Sequence, residues 1–99
     1  MTPGARRVLQ ELSNDEDCDL IQEGRLAYCG YRPTTPRIVY ELLGCMAISI
    51  SWKEGTNATY YHINDTGRAL LRRPELEREI AVALGKGPFS IIDDQIVYI

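Results

Sequence analysis

Residues 34–71 read TTPRIVYELLGCMAISISWKEGTNATYYHINDTGRALL, and this stretch decides the expected fold. Its first part predicts a helix. Thr35 is a favourable N-cap, and Pro36 loses no hydrogen bond at the first helical position. Gly44 lies close to the expected end of the helix. Spacings of three and four residues give this helix an apolar face, formed by Ile38, Val39, Leu42 and Leu43.

The next part predicts a β-hairpin. Ile48, Ile50 and Trp52 alternate with polar residues, which is typical of a half-buried strand, so we expect them to share one face. Turn-forming residues occupy positions 54–57, and the chain returns through residues 58–63.

Upstream of this stretch, residues 5–12 predict a helix with one apolar face, and the polar residues 13–17 end it. Residues 18–31 fit a hairpin that turns at positions 23–24 better than a helix, because their glycines weaken helical continuity.

Downstream, a further helix is expected to start at Asn64 or Asp65, either of which is a suitable cap. Residues 75–84 predict another helix, which starts after a proline and has one apolar face. Residues 89–92 and 95–99 flank two aspartates and indicate a short hairpin or one interrupted strand.

The composition is that of a globular domain: 99 residues, of which 44% are apolar and 25% charged, with a net charge of −3. Such a charge argues against a highly basic protein that coats nucleic acid or membrane. We expect an α+β fold in a single domain over residues 1–99. Its core would span residues 5–73, and a C-terminal helix and short β tail would occupy residues 74–99.

The helix, the hairpin with its polar tip and the closing helix resemble the second half of a winged helix-turn-helix domain of the kind found in prokaryotic and phage regulators. The motif Y-x-I-N-x-T-G-R-x-L-L over residues 61–71 is similar to the segment that follows the wing in such regulators. The T-x-x-x-V-aromatic pattern over residues 35–40, together with Y-x-I-N-x-T-G, is similar to the YjhX-type toxin family. The resemblance covers about 40 residues, and no short positioning helix is legible between Cys18 and Pro33.

This resemblance implies a transcriptional regulator that binds double-stranded DNA. In such domains the capped helix enters the major groove, and its N-terminal side chains meet base edges. Arg37 would form a bidentate pair with guanine, and Arg32 would hold a phosphate. The expected nucleic-acid contacts are Arg32, Thr34, Thr35, Arg37 and Tyr40 at the helix, with Lys53 and Asn57 on the wing.

The charges leave an alternative open. Residues 34–67 carry two cations against three carboxylates, a net charge of −1, whereas DNA-binding proteins gain much of their affinity by neutralising phosphates. The alternative is a winged helix that binds protein, such as a phage-encoded inhibitor or adaptor acting on a host protein. A toxin-like role ranks third.

The C-terminal segment is unusually apolar, since chain ends are normally polar and frayed. We therefore expect a homodimer whose interface is formed by this segment. The expected interface residues are Leu76, Ile80 and Leu84 on the last helix, with Phe89, Ile91, Ile96 and Tyr98 in the tail.

Arginines cluster after the wing, at Arg68, Arg72, Arg73 and Arg78. They would contact phosphate or an acidic partner, or they would pair with the neighbouring glutamates, Glu75, Glu77 and Glu79.

No motif for a nucleotide, a metal or a catalytic nucleophile is present, so we expect no cofactor, no metal site and no enzyme activity. Cys18, Cys29 and Cys45 are odd in number and lack C-x-x-C spacing, which indicates reduced cysteines rather than a disulfide framework. His62 is expected to be structural.

The longest uncharged run, residues 42–52, is about half the ~20 residues that a membrane span needs, and no apolar signal core follows the N-terminus. We expect a cytoplasmic protein without membrane contact.

Overall fold

The computed structural model describes residues 1–55 and 57–99, with the backbone alone for Glu54. Thr56, expected in the hairpin turn, lies outside the described residues. The described part contains four helices: α1 (Pro3–Asn14), α2 (Pro36–Gly44), α3 (Asp65–Arg72) and α4 (Leu76–Leu84). Its strands are β1 (Leu20–Glu23), β2 (Leu26–Cys29), β3 (Arg32–Thr34), β4 (Ile48–Glu54), β5 (Ala58–Ile63), β6 (Phe89–Ile92) and β7 (Gln95–Tyr98). The fold is α+β, with antiparallel sheets.

Helices α2 and α3 begin where the sequence predicts, whereas α1 begins at Pro3, before the expected start at residue 5. In α1 the Thr2 hydroxyl accepts a hydrogen bond from the Ala5 amide at 3.3 Å. In α3 the side-chain oxygen of Asn64 accepts from the Gly67 amide at 2.9 Å, which selects Asn64 over Asp65 as the cap. The start of α2 is confirmed at Pro36, although the Thr35 side chain makes no capping hydrogen bond.

Five strands form one antiparallel sheet in the order β3-β2-β1-β5-β4. The hairpin expected over residues 18–31 is confirmed as β1 and β2, with Gly24 at φ +60° in the turn between them. Arg32–Thr34 adds a third strand instead of leading into α2 as a loop. Three strands therefore stand between α1 and α2, where a helix-turn-helix domain has its positioning helix.

The β4–β5 hairpin is confirmed, but the expected alternation along β4 is wrong at Trp52. A bulge interrupts the register between Ile50, which lies opposite Tyr61, and Trp52, which lies opposite Tyr60. A bulge places one extra residue on one strand. Trp52 consequently shares a face with Tyr60 and not with Ile50.

The core lies on one face of this sheet. Leu20, Ala27, Cys29 and Tyr61 project from the strands into a cluster that includes buried residues of all four helices. Gly67 in α3 comes so close to the base of the hairpin that a Cβ there would overlap the Ala47 carbonyl oxygen. Glycine at this position is therefore a requirement of packing.

The C-terminal strands β6 and β7 form a separate two-stranded sheet, so the tail is a hairpin. Its turn residues, Asp93 and Asp94, have φ of 51° and 59°. The Arg72 guanidinium donates to both carboxylate oxygens of Asp94, at 2.9 and 2.6 Å, and Arg73 donates to the Asp94 carbonyl at 2.6 Å. These contacts hold the turn against the end of α3.

Candidate nucleic-acid interface

Several predicted DNA contacts lie at one end of the five-stranded sheet, which we call the hairpin end. There β1 turns into β2 at Gly24 and Arg25, β4 turns into β5, and β3 ends at Thr34. Because α2 begins directly after β3, its first turn, with Thr35 and Arg37, adjoins the same end.

Strand register places Thr34 and Lys53 in one row across the sheet, through Ala27, Gln22 and Thr59. Four strand spacings separate the two outer residues, which corresponds to about 19 Å. The N-terminus of α2 and the tip of the β4–β5 hairpin therefore lie at opposite edges of the same sheet.

Tyr40 is connected to this row. Tyr40 is 62% exposed, and its hydroxyl accepts a hydrogen bond from the Gln22 side-chain amide nitrogen at 3.2 Å. The same Gln22 nitrogen donates to the Gly24 carbonyl at 3.4 Å. The amide of Gln22 therefore links α2 to the β1–β2 turn.

Three cations at the hairpin end are exposed: Arg25, Arg37 and Lys53. Within the described part of the chain, none of them makes an ion pair. Glu23 is exposed at the same end. Sequence reasoning missed Arg25, because pairing of β1 with β5 is what brings its turn to the hairpin tip. Asn57 is exposed at that tip, as expected.

Arg32 is not part of this group. It starts β3 at the opposite end of the sheet, opposite Cys29, and its guanidinium lies 3.2 Å from a carboxylate oxygen of Glu11. Arg32, which was predicted to hold a phosphate, thus pairs with α1 and lies away from the hairpin end.

The sheet face opposite the helices carries a second notable surface. Register aligns one residue from each strand in a single row, which we call the apolar rib: Pro33, Tyr28, Ile21, Tyr60 and Trp52. None of the five belongs to the buried core. Trp52 is 49% exposed, and its ring stacks on Tyr60 with centroids 4.2 Å apart.

His62 lies beside the rib on the same face, and its Nδ1 is 2.7 Å from the Ser51 hydroxyl. Sequence reasoning assigned no partner to this histidine. Both side chains are exposed, and no carboxylate among the described residues bonds to the ring, so the pair lacks the third group that orients a catalytic histidine.

The expected dimer residues divide into three sets by their burial. Leu76 and Ile80 are fully buried in the core of their own chain. The prediction that they lie in a dimer interface is therefore wrong, because they have no surface left for contact with a second copy. Leu84 and Tyr98 are about half exposed. The remaining three are partly buried against the core: Phe89, Ile91 and Ile96.

The arginine cluster is largely occupied by carboxylates. Arg72 binds Asp94, and Arg73 lies 3.2 Å from Glu75 and 2.6 Å from Glu79. Arg68 is 3.6 Å from Asp65. Expected pairing with Glu77 is not observed, since that carboxylate binds the amino group of Met1.

The three cysteines are free thiols, and Cys18 and Cys29 have their sulfur atoms 3.9 Å apart. Burial raises the pKa of Cys29 and Cys45. In the described residues no group of three or more histidine, cysteine or acidic side chains is arranged to hold a metal ion.

Comparison of the chain with protein-family models, curated proteins and solved structures yields no match in any of the three. Of the helices described, none has both the length and the apolar character needed to cross a membrane.

Proposed function

We propose that this chain is a winged-helix-like protein that binds double-stranded DNA through the hairpin end and regulates transcription. The observation that carries the proposal is that Arg25, Arg37 and Lys53, exposed and without ion pairs in the described chain, all lie at the hairpin end of the sheet. In this proposal α2 and the hairpin correspond to the recognition helix and the wing. The strands β1–β3 replace the positioning helix.

The arrangement suits phosphate contact on both sides of a groove. Arg37 lies in the first turn of α2, where backbone amides also favour anions. Lys53 lies at the opposite edge of the sheet, about 19 Å along the row from Thr34, which is three residues before Arg37. A B-DNA major groove is about 12 Å wide, so side chains at these two sites would reach phosphates that flank it.

Salt dependence of DNA binding tests the proposal. Three phosphate contacts predict a slope of log affinity against log salt near −2.7, which corresponds to about a 40-fold loss between 50 and 200 mM salt. Fluorescence anisotropy with a labelled mixed-sequence duplex measures this slope. Arg37→Ala combined with Lys53→Ala should leave one phosphate contact and a shallower slope of about −0.9.

Arg68→Ala is the matched control, because it removes one exposed arginine that lies outside the hairpin end. It should leave affinity and slope unchanged. Absence of binding at low salt, or an equal loss in the control, would refute the proposal.

The apolar rib favours a second candidate function, binding of a protein partner, as an inhibitor or adaptor would require. Its residues lie outside the buried core, and Trp52, Tyr60 and Tyr28 are its aromatic members. Exposed apolar patches of this kind mark protein interaction sites.

Cross-linking in extract separates the two candidates. For the protein-binding candidate, Trp52→Ser with Tyr28→Ser should abolish a specific cross-linked product, which Arg37→Ala with Lys53→Ala should retain. If the cross-linked product is instead retained by Trp52→Ser with Tyr28→Ser and lost in Arg37→Ala with Lys53→Ala, the partner does not bind the rib. DNA binding that stays intact in the rib variant then favours the hairpin end as the functional surface.

A further inference from the structure

The β6–β7 sheet has only two strands, so each strand leaves one edge unpaired within the described chain. An isolated two-stranded hairpin is marginally stable, and further strands or a helix are needed to support it. The helix-facing side is packed against the core through Phe89, Ile91 and Ile96. No further strand pairs with either edge of this hairpin among the described residues.

The hydrogen-bond pattern shows which backbone groups face the free edge of β7. The Ile99 amide donates to the Pro88 carbonyl at 3.2 Å. Bonded and non-bonded pairs alternate along antiparallel strands. The amides and carbonyls of Ile96 and Tyr98 therefore point away from β6, and no hydrogen bond to them is found among the described residues.

Natural sheets protect such edges, and this chain does so elsewhere. The outer strand β3 contains Pro33, which has no amide to donate. The other outer strand, β4, contains a bulge after Ile50 and a lysine at position 53. In contrast, β7 reads Gln-Ile-Val-Tyr and has neither proline, bulge nor charge.

We propose that β7 pairs antiparallel with β7 of a second copy of this chain, which joins the two hairpins into a continuous four-stranded sheet. The two-fold axis passes through Val97, so that Val97 lies opposite its counterpart. Ile96 and Tyr98 of each copy exchange backbone hydrogen bonds with Tyr98 and Ile96 of the other. This pairing uses the edge groups that are otherwise unpaired, and it does not depend on DNA binding.

Charges beside the strand favour a second copy as the occupant. Antiparallel pairing brings the Asp93 turn of one copy towards the Lys86–Pro88 end of the other. Asp93 and Lys86 are both exposed, and neither makes an ion pair in the described part of the chain. The strand itself is uncharged, so self-pairing meets no like-charge repulsion.

Sedimentation equilibrium of the full chain over about 5 to 200 µM tests the proposal, because dimers gain population with concentration. The expected result is twice the mass of one chain at the upper end. Val97→Lys places two like charges opposite each other and should raise the dissociation constant about tenfold or more.

Ile92→Lys is the matched control. Ile92 is 55% exposed and shares the outer face of the hairpin with Val97, but it lies on β6, away from the axis. It should leave the dimer intact, and circular dichroism should show both variants folded. Lys86→Glu should weaken the dimer about two- to five-fold, as expected for an exposed ion pair.

A monomer at every concentration would overturn the proposal, as would equal dissociation by Val97→Lys and Ile92→Lys. A dimer that Val97→Lys leaves unchanged would also overturn it, because the contact would then lie on another surface.

Discussion

Replacement of Gly67 by alanine should destabilise the protein, although alanine is normally favoured over glycine in a helix by about 1 kcal/mol. The added Cβ would overlap the Ala47 carbonyl oxygen and lie 2.7 Å from Cγ1 of Ile63. Both neighbours belong to the base of the β4–β5 hairpin, where the backbone is fixed by the sheet. To accommodate the methyl group, α3 must move away from the hairpin.

Two terms oppose the gain in helix propensity. Overpacking of a core costs about 1–3 kcal/mol. Displacement of α3 also strains the cap, in which Asn64 accepts from the Gly67 amide, and such caps contribute about 1 kcal/mol. The net loss in free energy of unfolding is therefore about 1–3 kcal/mol. For a domain of this size, a loss of 2 kcal/mol lowers Tm by about 10 °C.

Thermal unfolding followed by circular dichroism measures this change, and Gly44→Ala provides the control. A Cβ at Gly44 in α2 meets nothing within 4 Å, so that variant should be as stable as the parent or more stable. A Gly67→Ala variant at least as stable as the parent would refute the packing argument.

Two further predictions concern Asp94 and the cysteines. Arg72 lowers the pKa of the Asp94 carboxyl, so this group stabilises the fold above its unfolded pKa, and the contribution is lost as the pH falls through the folded pKa. Asp94→Asn should accordingly lower the urea midpoint at pH 7, and the difference from the parent should shrink below about pH 4; a constant difference across pH would contradict this. A disulfide-forming oxidant such as diamide should link Cys18 to Cys29, whose sulfur atoms are 3.9 Å apart, and leave Cys45 free. Peptide mapping checks the pairing, and a linkage that includes Cys45 would contradict the geometry.

Local signals were sufficient for the elements that local chemistry determines. Pro36 starts α2 and Asn64 caps α3 through contacts within a few residues, so both could be predicted from sequence. The Y-x-I-N-x-T-G motif also acquires a physical reason. Asn64 caps the helix, and Gly67 permits its close approach to the hairpin.

The elements that were missed depend on contacts distant in sequence. Pro33 lacks an amide and is typical of a loop, yet β3 accepts it because an outer strand needs donors on one side only. The bulge after Ile50 is invisible in a regular polar–apolar alternation. Arg25 lies at the same end of the sheet as Lys53 only because β1 pairs with β5, and no local sequence pattern predicts that pairing.

The net charge of −3 also has a different meaning once the fold is known. The acidic run over residues 15–19 precedes β1, whereas the hairpin end follows it. The four residues of β1 separate the two ends by about 13 Å. The Debye length at physiological ionic strength is about 8 Å, so the acidic run is largely screened from the cations at the hairpin end. The sum of charges is therefore a weak argument against DNA binding. A phosphate at the hairpin end would meet the local charges there, which are those of Arg25, Arg37 and Lys53 together with Glu23.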